Sequence, residues 1–360
     1  MIFLAKAGCK QRTDPREARL TGNRFDFLRL LFASAVFGYH AWVLPAVVPF
    51  GFTEIMLAQI AEISIQGFFI VSGALVFGSL ERSSSLTIYA SKRVRRLYPA
   101  YAVVVLMPAL VSLAVAGVGE AEAVARYLAA NLVFLNFLEP TLPGLFEGNR
   151  FTAVNGALWT LKIEVMFYIA LPVLALLLRL SDRAWWIVFV VIYISAEAWR
   201  LLLPVWFDHP LAPELARQLP GQLAFFASGM VVWKLWDRAK TQPARFGLVG
   251  AAITVLSFAH PWLEPLRAAG LAGLIAFVAF MPGPRLKAAR FGDISYGVYI
   301  THFPILQALV VAGMFASLPL AVGFGFAALL ILVASFVLWH LIERPALRRD
   351  SHYRKAETAD

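Results

Sequence analysis

Apolar residues run along this chain in long unbroken stretches, separated by short polar segments. Ten runs reach the length of about 17–25 residues that a membrane-crossing helix requires. They begin near Phe25, Leu57, Leu97, Leu158, Ala184, Gln218, Phe246, Arg267, Phe291 and Leu318. A helix satisfies all its backbone hydrogen bonds within one segment, so runs of this length predict an all-α polytopic membrane protein with roughly ten transmembrane helices. The stretch RYLAANLVFLNFL (126–138) is apolar but short, and reads as an interfacial or re-entrant piece. The connection from Glu139 to Asn155 then lies on the same side as that piece.

The polar segments set the predicted orientation. Residues 1–24, 81–96, 179–183, 237–246, 282–290 and 344–355 hold 24 of the 32 Lys and Arg. Cytoplasmic segments are the ones that accumulate such residues, so both termini are placed in the cytoplasm. Residues 1–23 read as a cytoplasmic tail, 24–343 as the membrane domain, and 344–360 as a second cytoplasmic tail. The short apolar start MIFLAKAGC is too brief for a signal-peptide core. No internal repeat stands out, which counts against a transporter built from duplicated halves.

Composition agrees with this pattern. Of 360 residues, 60% are hydrophobic and 15% are charged, and mean hydropathy is +0.71. A soluble domain carries about 25% charged residues. The net charge of +10 would fit nucleic acid, but its confinement to inter-helix segments makes it a topological signal. One cysteine, Cys9, excludes an intramolecular disulfide, and six scattered histidines without ligand spacing give no metal site.

The first run, FDFLRLLFASAVFGYHAWVLP (25–45), contains Arg29 and His40. An ionisable group near the bilayer centre costs about 2.5 kcal/mol or more, so two in one helix require a reason. Eleven helical positions advance about 16 Å and return to within about 20° of the starting direction, which puts both on one face. A guanidinium can hold an anionic ligand, and a neutral imidazole can take a proton from a hydroxyl. Alternatively, Arg29 reaches the headgroups and pairs with Asp26 while His40 bonds a neighbouring helix.

Further along, Arg93 and Arg96 lie in a basic run at the start of the third span, explicable by topology alone. Glu164 and Tyr168 are one turn apart on a shared face. Glu164 either orients His40, contacts an acceptor hydroxyl, or neutralises Lys162 or Arg150. Ser295, Tyr299 and His302 share a face of the ninth span, with Asp293 at its start, and interhelical hydrogen bonding accounts for that set. Ser72-Gly73 lacks a nucleophile elbow and reads as a close helix contact.

Six segments in order resemble the acyltransferase 3 family of bacterial integral-membrane O-acyltransferases. They are RFDFLRLLFASAVFGYH (24–40), SIQGFFIVSGALV (64–76), SKRVRRLYPAY (91–101), NGALWTLKIEVMFY (155–168), ISYGVYITHFPI (294–305) and LIERP (341–345). Phe27 and Gln66 depart from the family pattern, which often has Gly and an acidic residue there. The resemblance implies transfer of an acyl group, most often acetyl, from cytosolic acyl-CoA to a hydroxyl of a glycan, lipid-linked sugar or related acceptor. It makes His40 the catalytic histidine, Arg29 its partner, and Arg93 and Arg96 the residues at the acyl-CoA entrance. It also implies residence in the bacterial inner membrane, acting alone or with a separate extracytoplasmic partner protein. Two rival readings are a transporter or flippase for a lipid-linked sugar, and a non-catalytic partner in a glycan-synthesis complex.

Overall fold

A computed structural model describes residues 23–348 and 351, apart from 285, 287, 289 and 291. The described residues form helices and connections, with no strand among them. All of the first tail but Asn23, and most of the second, lie outside the described residues.

Eleven longer helices carry the architecture: α1 (Phe25–Val43), α2 (Phe52–Glu81), α3 (Leu86–Ala116), α4 (Ala121–Asn131), α5 (Trp159–Leu180) and α6 (Trp185–Trp206), then α7 (Leu219–Lys234), α8 (Pro243–Ala259), α9 (Arg267–Phe280), α10 (Ser295–Val311) and α11 (Leu320–Leu338). All but α4 fall on the ten apolar runs. Six of the ten, counting the short turns that prolong α5, α9 and α11, are long and apolar enough to cross a membrane. The other four, α1, α7, α8 and α10, span 19, 16, 17 and 17 residues.

Two boundaries differ from the sequence reading. Helix α3 starts at Leu86, well before Leu97, so Arg93 and Arg96 sit within it rather than ahead of it. Ser85 makes this early start possible, because its hydroxyl accepts from the Ile88 N–H at 3.2 Å and caps the first turn. The run 126–138 is split: α4 ends at Asn131 and turns follow. There the Asn131 amide donates to the Tyr127 and Glu139 carbonyls, tying helix end to loop.

Helix α1 packs between α2 and α10, and α2 also packs on α7. The α2–α7 crossing depends on Gly73 and Gly229. A Cβ on Gly73 would stand 2.1 Å from the Phe226 carbonyl oxygen, and one on Gly229 would stand 1.9 Å from that of Ile70. Small residues replace side-chain burial as the means of bringing helices together where lipid removes the hydrophobic drive.

Helix α10 contains Pro304, which has no N–H to give the Ile300 carbonyl. Asn155 Nδ2 donates to that carbonyl at 2.8 Å, while its Oδ1 accepts from Ala157 N–H at the start of α5. One side chain thus repairs the gap in α10 and fixes the entry of α5 beside it. At the same end, the Gln307 amide donates to Ala153 O at 3.0 Å and Arg150 pairs with Glu54 at 3.0 Å. These bonds hold the 139–155 connection over the helix ends.

Candidate active site

Helix α1 turns Arg29 and His40 toward neighbouring helices. Arg29 Nη1 donates to Asp293 Oδ2 at 2.6 Å, and its side chain is 14% exposed. Asp293 is the acid it pairs with across helices. The same Oδ2 accepts from Arg96 Nη2 at 2.6 Å, Ser295 Oγ donates to Oδ1 at 2.6 Å, and Arg96 also pairs with Glu343. Two cations and two carboxylates thus share one buried cluster that ties α1, α3, the start of α10 and the end of α11.

Local backbone features build this cluster. Gly292 has φ +113°, and a Cβ there would lie 2.3 Å from the Trp339 ring. Only glycine lets the chain pass Trp339 and deliver Asp293 to the start of α10. Beyond α11, Trp339–Glu343 winds as a π-helix. The wider turn resets the helical phase and brings Glu343, 1% exposed, onto Arg96. Asp293 lies outside both neighbouring helices. Its burial alone would raise its pKa, but Arg29 and Arg96 overcome this and lower it to about 2.

Arg93 has a different environment from Arg96. It donates to Ser79 Oγ at 3.2 Å and lies 5.8 Å over the Tyr168 ring. Its Nε has no hydrogen-bond partner among the described residues. Arg93, Arg96 and Arg29 line a cavity of about 70 Å³ together with Ser72, Thr160, Glu164, Tyr168 and Tyr299. Within it, Glu164 Oε1 accepts from Ser72 Oγ at 2.7 Å and from the Tyr168 hydroxyl. Glu164 therefore stands on the Arg93 side of the bundle, bonded neither to His40 nor to Arg150. Lys162 instead lies 4.4 Å over Phe137.

His40 is one layer beyond this cavity. The Tyr299 and Thr160 hydroxyls are hydrogen-bonded at 2.6 Å and close its end. Behind them, His302 Nε2 lies 3.0 Å from His40 Nδ1, and the Phe303 ring meets His40 edge-on with centroids 5.1 Å apart. His302 Nδ1 is 3.0 Å from the Val298 carbonyl. A carbonyl only accepts, so His302 carries its proton on Nδ1 and presents Nε2 as an acceptor. His40 then donates from Nδ1, which leaves its Nε2 with a free lone pair. The second imidazole assigns the tautomer of the first, in the way a carboxylate does in other acid–base sites.

The sequence-stated candidates are thus gathered in part. Arg29, Arg93, Arg96 and Glu164 share one cavity, whereas His40 is separated from them by a hydroxyl pair. His302 is the residue that sequence reasoning set aside as structural. Asp293 and Glu343 carried the general signal of a buried acid in apolar surroundings, but their partners lie 264 and 247 residues away along the chain. The other described histidines make local contacts: His209 and His260 accept from nearby backbone N–H groups, and His340 Nδ1 lies 2.9 Å from the Phe336 carbonyl. No group of three potential metal ligands exists among the described residues.

The acyltransferase domain model of the acyltransferase 3 family matches residues 23–340. The chain is 28% identical over 358 residues to nodulation protein 10 of Rhizobium leguminosarum bv. viciae, covering 91% of this chain and 93% of that protein. It is 26% identical over 350 residues to an O-acetyl transferase of Shigella phage Sf6, covering 91% and 97%. No solved structure matches it. With a buried histidine pair, a cationic cavity beside it, and a family match over most of its length, this integral membrane chain belongs to the acyltransferase 3 family and is an acyltransferase.

Proposed function

We propose that the protein transfers an acetyl group from acetyl-CoA to a hydroxyl of a glycan or lipid-linked sugar in the bacterial inner membrane. The observation that carries this reading is the His40–His302 pair, which leaves an imidazole nitrogen free of its own proton beside a cationic cavity. The orientation follows from the basic segments, with the Arg93 end facing the cytoplasm and the Glu54 end facing outward.

In this reading, Arg93 meets the donor's phosphates with its uncommitted guanidinium edge, since Arg phosphate contacts are bidentate and charge-assisted. Arg29 and Arg96 line the path, and Asp293 and Glu343 hold them in place. Glu164, fixed by Ser72 and Tyr168, presents its carboxylate to the same path. A cavity of about 70 Å³ holds roughly two waters' worth of volume. The pantetheine arm therefore enters by parting the Tyr299–Thr160 pair.

At the far end, His40 Nε2 removes the proton from the acceptor hydroxyl as its oxygen attacks the thioester carbonyl. The C–S bond breaks, the thiolate leaves, and His40 passes the acceptor's proton to that thiolate, giving the free thiol. During this step the imidazolium shares its Nδ1 proton with His302 Nε2, so positive charge is stabilised as it forms.

The test is thiol release from acetyl-CoA by purified full-length protein given a surface-glycan fraction, with mass-spectrometric detection of O-acetyl groups. His40→Ala, expressed at normal level, loses both signals. Undiminished glycan acetylation by that variant would overturn the assignment and favour a transport or partner role.

A further inference from the structure

The steps above use the cavity at the Arg93 end and leave another unassigned. A cavity of about 380 Å³ lies between α2, the start of α5, the end of α6 and the start of α7. Its walls include Glu62, Gln66, Trp159, Arg200, Arg217 and Gln222. The two cavities stand back to back. Ile65 lines both, while the adjacent residues Trp159 and Thr160 each face one of them. Along α2 this cavity is lined by Glu62, Ile65 and Gln66, and the Arg93 cavity by residues from Ile65 on to Val76, so the second lies toward the Phe52 end.

Its floor is polar and incompletely paired. Gln66 is 3% exposed, its Nε2 donates to Glu62 at 3.2 Å, and its Oε1 has no partner among the described residues. Gln222 is also buried and lines the same space. Arg217 lies 4.6 Å over the Trp159 ring and props the indole as one wall. Arg200 is already engaged by Glu197 and Glu264, each at 2.6 Å. The remaining charges, Glu62 and Arg217, cancel.

We propose that this cavity binds a sugar ring of the acceptor, with its hydroxyls on Gln66, Gln222 and Glu62 and a C–H face against Trp159. Amides supply donors and acceptors together, a carboxylate supplies acceptors, and an indole supplies an apolar plane. A neutral polyhydroxyl ring satisfies all three. An anionic ligand would face Glu62 without excess positive charge, and a purely apolar one would leave the buried amides unpaired. The inference rests on the acyl-transfer reading for the word acceptor. From Trp159 the wall continues to Thr160, which bonds Tyr299, whose ring meets that of His302 with centroids 5.9 Å apart. A ring held here therefore stands near the histidine pair from the side opposite the donor.

The experiment measures binding without donor or turnover. Full-length protein in detergent is titrated with the methyl glycosides of glucose, mannose, rhamnose and N-acetylglucosamine, followed by saturation-transfer NMR and calorimetry. At least one glycoside binds the unmodified protein, and Gln66→Leu and Trp159→Ala weaken it roughly tenfold or more. Trp159→Phe retains most of the affinity. Size-exclusion profiles confirm folding, and Gln222→Leu replaces Gln66→Leu if the latter does not fold. Absence of binding by every glycoside, or equal binding by the Gln66 and Trp159 variants, overturns the proposal. Because no donor is present, this titration reads the sugar site alone; glycoside binding by a protein that releases no thiol in the separate acetyl-CoA assay would sink the acyl-transfer reading and leave the sugar site standing. Thiol release with no effect of these variants would do the reverse.

Discussion

His40 and His302 are joined by a hydrogen bond of 3.0 Å between Nδ1 of the first and Nε2 of the second, across the interface of α1 and α10. The Val298 carbonyl fixes the proton on His302, and His302 in turn fixes the proton on His40. Neither ring can be reassigned alone.

Removal of the base should therefore be distinguishable from removal of its support. His40→Ala lowers kcat by about 10²–10⁴, the range of a general base. His302→Leu lowers kcat less and leaves KM for both substrates near its original value, because His302 touches neither. His302→Gln keeps an acceptor opposite His40 Nδ1 and restores part of the loss. Steady-state kinetics on the three variants check this, and equal kcat for the Leu and Gln variants would remove the positioning role.

Arg93 and Arg96 should separate by phenotype. Arg93→Ala raises KM for acetyl-CoA about 10- to 100-fold, the equivalent of one charged hydrogen-bond contact. A donor lacking its 3′-phosphate loses less from the same change. Arg96→Ala instead leaves Glu343 buried without its cation, and the yield of folded protein drops. Kinetics with both donors, together with size-exclusion profiles, measure the difference.

Asp293 gives the cluster a signed pH dependence. Its pKa is lowered in the folded chain to about 2 from the ordinary 3.8, against burial, by Arg29 and Arg96. A carboxyl depressed on folding stabilises fully above its unfolded pKa and loses that contribution as pH falls through the folded one. Asp293→Asn leaves Glu343 as the one carboxylate for two cations and destabilises by about 3–5 kcal/mol at neutral pH. Thermal unfolding in detergent should show the gap between this variant and the parent closing as pH falls below 4 toward 2.

Asn155 and Pro304 should be energetically coupled. Asn155→Leu leaves the Ile300 carbonyl without a donor and costs about 1–3 kcal/mol. Pro304→Ala restores a backbone N–H to that position. The Asn155 change is then expected to cost less in the Pro304→Ala background, as a double-mutant cycle on unfolding temperatures would report.

Much of this protein was legible before any coordinates. The ten apolar runs are helical because period and length leave the backbone no other way to satisfy itself in lipid. Glu164 and Tyr168 were paired correctly, since a one-turn spacing is fixed by the helix itself. Arg29 and His40 share an inward face for the same reason. Those statements concern contacts within one helix, where geometry follows from residue count.

Contacts between helices were decided by the tertiary structure. Nothing local couples Arg29 to Asp293, Arg96 to Glu343, or His40 to His302, because each pair is brought together only by how α1, α3, α10 and α11 cross. Gly292 lets the chain pass the Trp339 ring and the π-turn at Trp339–Glu343 carries the partner of Arg96, and the effect of each depends on which ring or cation stands opposite. The sequence by itself determined which side chains could carry charge or a proton through an apolar bundle. The packing of the helices decided which of them are held by carboxylates, which keeps a free nitrogen, and where the cavities lie, because a hydrogen bond needs its partner within about 3 Å and chain order carries no such distance.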